Sequence, residues 1–183
     1  MQIELERPSK KREREFLDAI QRSKKLYRNL ATPPSTPDTY VKYLKQSRNS
    51  RCANFLVVLT ETRDLVGVIN IENIVRGYSQ SAQLGYYAFL PHAGRGLMRK
   101  GLRGVISLAF RDLKLHRLEA NIQPINHRSI ALVQGLGFRS EGISLNYLKI
   151  CGQWRDHERW ALLANEWHPS QIARSSRGTR TDR

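Results

Sequence analysis

The 183-residue sequence predicts a mixed α/β domain of the α+β kind, on three observations. Three β-branched-rich runs follow one another with no helical segment between them, which reads as an antiparallel meander. Amphipathic segments of helical period stand before and after those runs. Two further apolar runs, turned at Cys151 and Gly152, form a closing strand pair. One domain is expected over residues 1–167, because the length supports a sizeable core but not two ordinary domains with a linker. From His168 the chain reads HPSQIARSSRGTRTDR. That stretch is basic with almost nothing to bury, so 168–183 is expected to be a disordered tail.

Taken in order, Ile3 and Leu5 alternate with Gln2, Glu4 and Glu6 in a short strand, ended by Pro8, which cannot donate to a ladder. Ser9 can cap a helix over about Lys10 to Tyr27, with Phe16, Ile20 and Tyr27 on one face and Lys and Arg on the other. TPPSTP at 32–37 is a loop, after which Thr36, with Pro37 at the first helical position, opens a helix to about Gln46. NFLVVLT (54–60) and LVGVINIE (65–72), joined by the polar turn ETRD, make a hairpin, and SAQLGYYAF (81–89) is the third strand. Beyond Gly94 and Gly96, the spacing of Leu97, Leu102, Val105, Ile106, Ala109 and Leu113 is helical up to about Lys114. RLEANI (117–122) is another strand and Ser129 to Leu136 a short helix. Ser140 to Ile150 and Gln153 to Leu162 are the closing pair.

Charge is the strongest compositional signal: 31 Lys and Arg against 16 Asp and Glu give a net charge of +15. Such a field favours polyanions, whether RNA, an acidic membrane face or a phosphate-rich cofactor. No stretch approaches the roughly 20 apolar residues of a membrane helix, so no membrane partner is expected. The start MQIELERPSKKRERE mixes acids and bases without an apolar segment; it reads as neither a secretory signal nor a transit peptide, and a cytoplasmic location is expected. Cys52 and Cys151 lack a second thiol at metal or redox spacing, and the five histidines form no cluster, so no bound metal is expected.

Two motifs carry chemistry. In PHAGRGLM (91–98) a strand gives way to a helix; Gly94 and Gly96 let backbone N–H groups converge, and the positive end of the helix dipole points at the same spot, where a pyrophosphate can bind. About thirty residues on comes NHRSIALVQGLGF (126–138), where Asn126 and Ser129 open a helix and Gly137 and Phe138 follow it.

This pair of motifs, in this order and spacing, resembles the GCN5-related N-acetyltransferases, or GNAT proteins. That family holds the pyrophosphate of coenzyme A on Q/R-x-x-G-x-G/A and carries Asn and Ser in the second helix. Here Ala93 replaces the usual Gln or Arg, and Met98 the usual Gly or Ala, which leaves a main-chain cradle resting on Gly96 and the N–H groups of 94–98. GVINIENIVRG (67–77), GRGLM (94–98) and YLKICGQWRDHERWALL (147–163) narrow the resemblance to the Rim-type ribosomal-protein-alanine N-acetyltransferases, the RimJ branch especially. The resemblance runs from about Leu5 to Trp167. It implies the GNAT fold, a mixed, mostly antiparallel central sheet with helices on both faces, splayed after the strand ending at Phe89, with acetyl-CoA in the splay. It further implies cofactor contacts at Phe89, Leu90, Gly94, Arg95, Gly96, Leu97, Met98, Asn126 and Ser129, with the Leu90 N–H as oxyanion donor. Arg95, Arg99 and Lys100 are nearby cations for the phosphates.

The implied reaction is direct transfer of acetyl to a primary amine, which needs positioning, one proton taken from the amine, one oxyanion held and one thiolate protonated. Ser129 is a candidate donor to the thiolate, or the cap of its helix, or both. Glu72 and Glu119 are both candidates for the general base, and Asp156 and His157 stand nearer the periphery of the acceptor groove. The expected acceptor is the N-terminal amine of an Ala or Ser in a ribosomal protein, with ribosomal RNA met by the basic first helix and tail. The alternatives are a small-molecule amine, such as an aminoglycoside, polyamine or amino-acid-like compound, and a non-catalytic RNA-associated module. A monomer or homodimer is expected.

Overall fold

The computed structural model describes residues 1–168; the basic stretch 169–183, including Arg174, Arg177, Arg180 and Arg183, lies outside the described residues. The strands are β1 (Ile3–Glu6), β2 (Ala53–Leu59), β3 (Leu65–Val75), β4 (Ser81–Ala88), β5 (Arg117–Ile122), β6 (Arg139–Ile150) and β7 (Gln153–Leu163). The helices are α1 (Glu13–Tyr27), α2 (Pro37–Ser47), α3 (Leu97–Arg111) and α4 (His127–Gln134). The seven strands form one sheet in the order β1-β2-β3-β4-β5-β7-β6, and every neighbouring pair is antiparallel except β4 with β5. This is the GNAT fold the sequence implies. Among the described residues no helix is long and apolar enough to cross a membrane.

Period-2 alternation sends successive strand residues to opposite faces, and each face has its own core. On one, Phe16, Ala19 and Ile20 of α1 and Tyr40 and Tyr43 of α2 cover Leu56, Val58, Val68 and Phe89. On the other, Leu97, Leu102, Val105 and Ile106 of α3 and Val133 of α4 cover Val57, Ile69, Ile71, Leu118 and Ala120. Phe16 lies 4.7 Å from the Tyr40 ring and edge-on to Phe89 at 5.7 Å; contacts of this kind add about 0.5–1.5 kcal/mol each to the area they bury.

Two boundaries differ from expectation. The first helix opens with a 3-10 turn at Lys10–Arg12, and the Ser9 side chain makes no capping bond; the Ser9 carbonyl instead accepts from the Tyr40 hydroxyl at 2.9 Å. By contrast Thr36 caps α2 as expected, in a reciprocal box with Thr39. The short fourth helix starts two residues earlier than expected, because the Asn126 side chain accepts from the Ser129 N–H at 3.3 Å and is itself the cap.

The parallel pairing of β4 with β5 covers only Ser81–Gln83 against Arg117–Glu119. Beyond it the strands diverge, and the ladder with β3 decides which edge of β4 is left over. Phe89 N–H donates to the Val66 carbonyl at 2.7 Å, opposite it by continuation of the Gly67–Ala88 register. Alternation then directs the N–H and C=O groups of Leu84, Tyr86 and Ala88 away from β3, into the opening.

Candidate active site

At one end of the opening lies the turn before α3. Gly94 and Gly96 have φ of 80° and 73°, a region that glycine adopts without the strain a Cβ brings. A Cβ at either would meet no atom within 4 Å, so the turn presents bare backbone to open space. Gly96 is the N-cap of α3, with no side-chain cap and no acidic residue in the first turn. The leading N–H groups of a 15-residue helix therefore stay available to an anion. The residues present fit the pyrophosphate the sequence implies.

The roles inside that motif divide sharply. Leu97 and Met98 turn their side chains into the core, 2% and 9% exposed, so they can offer a ligand only main chain. Arg95 is exposed. Arg99 donates to the Gly135 carbonyl at 2.7 Å, tying α3 to the end of α4, and Lys100 donates to the Met1 carbonyl at 2.9 Å. Of the three cations expected for the phosphates, two have structural partners.

On the α1–α2 face a cavity of about 390 Å³ opens between the α1–α2 connection, α2 and the sheet, lined in part by Thr32, Lys42, Tyr43, Asn70, Glu72 and Tyr87. The β6–β7 turn reaches the same connection, with Cys151 Sγ 3.7 Å from the Arg28 carbonyl and 3.8 Å from Thr32 Oγ1. The Gln123 amide, just past β5, donates to the Asn29 carbonyl at 2.8 Å. Glu72 lies on the cavity wall. Desolvation raises its carboxyl above the usual range, partly opposed by the Asn70 amide, which donates to Oε1 at 3.3 Å. A carboxyl moved toward neutrality is a better proton acceptor than an ordinary one.

Glu119 stands differently. Burial alone would raise its carboxyl, but hydrogen bonds from Arg117 (2.7 Å) and Arg159 (2.9 Å) win and lower it. It is a committed ion-pair partner between β5 and β7, a poor base. Asp156 accepts the Asn146 N–H at 2.7 Å, and His157, 3% exposed, bonds the Arg155 carbonyl through Nδ1 at 2.9 Å. Both hold the β6–β7 hairpin.

Two further residues stand apart from their expected roles. Phe89 is fully buried and its N–H is spent on Val66. The Leu90 N–H, expected as oxyanion donor, donates to Ser23 Oγ at 2.8 Å, and Ser23 is itself fully buried. The backbone left to pair with a ligand is thus that of Tyr86 and the Ala88 N–H, one step earlier in the strand, since the Ala88 carbonyl accepts from the Tyr27 hydroxyl at 2.9 Å. Across the opening, Ser129 sits in the first turn of α4, and the Tyr86 hydroxyl donates to its carbonyl at 3.2 Å. Burial pushes the Tyr86 phenol up to about 12, despite a hydrogen bond with Ser129.

Several site residues went unnoticed in the sequence. Asn70 is a half-buried polar residue in period 2 with Val66 and Val68 of the run LVGVINIE, Ser23 interrupts the apolar stripe Phe16–Ile20–Tyr27, and Tyr86 and Tyr87 are adjacent aromatics serving opposite faces. A polar residue inside an apolar pattern is the signal that could have found the first two.

The family profile described as Acetyltransferase (GNAT) domain matches residues 3–139. The chain is 40% identical over 99 residues to the probable N-acetyltransferase YjcK of Bacillus subtilis (strain 168), covering 54% of this chain and 55% of that one. It is 40% identical over 111 residues to the [ribosomal protein uS5]-alanine N-acetyltransferase of Escherichia coli (strain K12), covering 61% and 57%. The chain thus spans little more than half the length of these curated relatives. Among solved structures, Mycobacterium smegmatis RimJ in complex with CoA-disulfide superposes with a TM-score of 0.85 at 24% identity, over 95% of this chain and 88% of that one. Spermidine N-acetyltransferase from Vibrio cholerae in complex with CoA and spermine gives 0.77 at 20%, over 90% and 97%.

Proposed function

Because the chain belongs to the GNAT acetyltransferase family, we propose that it transfers acetyl from acetyl-CoA to the N-terminal α-amine, on Ala or Ser, of a ribosomal protein. The observation that carries the reading is the edge of β4 beyond its pairing with β5, open apart from the Tyr27 hydroxyl on the Ala88 carbonyl, which runs between the Gly94–Met98 turn on one side and the cavity holding Glu72 on the other.

In this reading the N–H groups of 94–98 hold the pyrophosphate, with Arg95 as the exposed cation beside it and that edge of β4 to pair with the pantetheine arm. Asn126 fixes the first turn of α4 next to that arm. When bound, acetyl-CoA supplies a thioester, an acyl group activated for attack by an amine. The chain's residues do the rest. Glu72 takes the proton from the acceptor amine, Ser129 donates to the departing sulfur, and the Ala88 N–H, directed into the opening, is the donor for charge that develops on the carbonyl oxygen. No nucleophilic side chain is required.

The surroundings of the cavity bear on the acceptor. Glu72 is the one carboxylate among the lining residues, and Lys42 shares the wall. Beyond Lys42, the same two helices expose Arg22, Lys24 and Lys25 on α1, Arg28 at its end, Lys45 on α2 and Arg48 at its end. A polycation such as spermidine meets repulsion there, whereas an N-terminus presented on RNA meets attraction. The 3-10 turn before α1 does not contribute in the same way: Arg12 is bound by Glu6 and Glu15, and Lys10 by Glu13.

Release of coenzyme A, measured with peptides beginning Ala or Ser and in parallel with spermidine and aminoglycosides, tests the assignment. Turnover confined to the peptides is expected; turnover confined to the polyamines or aminoglycosides contradicts it.

A further inference from the structure

One buried polar group in the acceptor cavity has no part in the reaction as described. Tyr87 lines the cavity with Glu72 and Asn70. Its ring is held edge-on by Tyr27 at 5.6 Å and Phe89 at 5.8 Å, yet its hydroxyl is buried with no hydrogen-bond partner among the described residues. Buried hydroxyls in native proteins are nearly always bonded, so one fixed by two aromatic rings, on a residue that lines a cavity, points to a ligand atom.

Its neighbours are already committed. The Tyr43 hydroxyl donates to Asn70 Oδ1 at 3.0 Å, which orients the amide so that Nδ2 donates to Glu72 at 3.3 Å. Asn70 thereby positions the Glu72 carboxylate. Gly85 stands opposite Asn70 in the β3–β4 register, and a Cβ there would meet no atom within 4 Å, so the floor beside Asn70 stays open.

The cavity therefore offers two fixed points of opposite character, an acceptor at Glu72 and a donor at Tyr87. We propose that Tyr87 determines the acceptor class: its hydroxyl donates to the carbonyl oxygen of the substrate's first residue while Glu72 faces the amine. The ligand is then an α-amino acyl group, amine and carbonyl joined through one carbon, and not an isolated alkyl amine. Desolvation raises the Tyr87 phenol well above its ordinary value, which keeps it a neutral donor. The proposal rests on the acetyl-transfer reading of the cavity.

The test pairs the variant Tyr87→Phe with an alanyl peptide and its alkene isostere, which keeps the extended shape but lacks the first carbonyl. For the wild type, removing the carbonyl is expected to lower kcat/KM about 10- to 100-fold, the range for leaving a buried hydroxyl unpaired. Tyr87→Phe is expected to lose a similar factor on the normal peptide and nothing more on the isostere, as a shared hydrogen bond requires. KM for acetyl-CoA and the thermal midpoint should not worsen, since the removed hydroxyl bonds nothing in the protein. Full activity of Tyr87→Phe on the normal peptide, or losses that multiply, overturn the proposal while leaving peptide acetylation standing. A wild type that acetylates an alkyl amine but neither peptide overturns the peptide reading itself, and this proposal with it.

Discussion

Glu72 on β3 and Glu119 on β5 are two carboxylates that the fold treats in opposite ways. Glu72 is desolvated with one amide for company, whereas Glu119 receives two guanidinium groups. Glu72→Gln is expected to lower kcat about 100- to 10,000-fold, the typical worth of a general base. Glu119→Gln should leave the chemical step nearly unchanged and weaken the fold. Their stability signatures also have opposite sign. The folded state raises the Glu72 carboxyl, so its protonated form is favoured and stability falls as pH climbs from the ordinary carboxyl value through the raised one. Glu72→Gln cannot ionise, and because Glu72 is an exposed residue its melting point at neutral pH should equal or only slightly exceed that of wild type. The folded state lowers the Glu119 carboxyl, so its contribution is present above the ordinary value and lost as pH falls through the lowered one. Thermal melts of both variants from acid to neutral pH check this; a neutral-pH melting point of Glu72→Gln below wild type contradicts the assignment. Ser129→Ala should lower turnover about ten- to a thousand-fold without changing acetyl-CoA affinity. Asn126 remains as the cap, so an unchanged rate would leave Ser129 no chemical part.

Among the elements, two glycines make contrasting demands. At Gly96 the space is open but φ is 73°, so Gly96→Glu strains the turn and puts an anion at the head of α3; acetyl-CoA binding by calorimetry is expected to vanish while the fold survives. At Gly67 the backbone is crowded: a Cβ would sit 2.5 Å from both the Tyr87 carbonyl oxygen and Met98 Sδ. Gly67→Ala should destabilise by about 1–3 kcal/mol, as overpacking does. The strands, the long helix after the meander and the glycine turn were legible because each depends on local periodicity or on glycine's φ freedom. The order of the last strands was not, since nothing local tells β7 to insert between β5 and β6. Likewise the strand stretch SAQLGYYAF does not reveal which edge is spent on β3. That depends on a bond from Phe89 to Val66, twenty-three positions away, and on Ser23 reaching Leu90 from α1. Asn70 and Tyr87 became site residues for the same reason: only the packed sheet brings them to one cavity.

For the whole molecule, the net charge is +15, and the exposed cations of α1 and α2 are not needed to hold one cofactor. If they carry the enzyme to RNA, association with ribosomes should weaken steeply between about 50 and 200 mM salt, whereas turnover of a free peptide should change far less. Charge reversal at Lys24, Lys25 and Arg28 should reduce co-sedimentation and spare peptide turnover. Retention of full co-sedimentation by that variant would remove α1 from the interface. The central claim, acetyl transfer to an N-terminal α-amine, is tested most directly by mass-spectrometric mapping of one product. A peptide carrying both an N-terminal alanine and an internal lysine, incubated with the protein and acetyl-CoA, should gain a single acetyl on the α-amine. Acetyl found on the lysine side chain, or on neither amine, would contradict it.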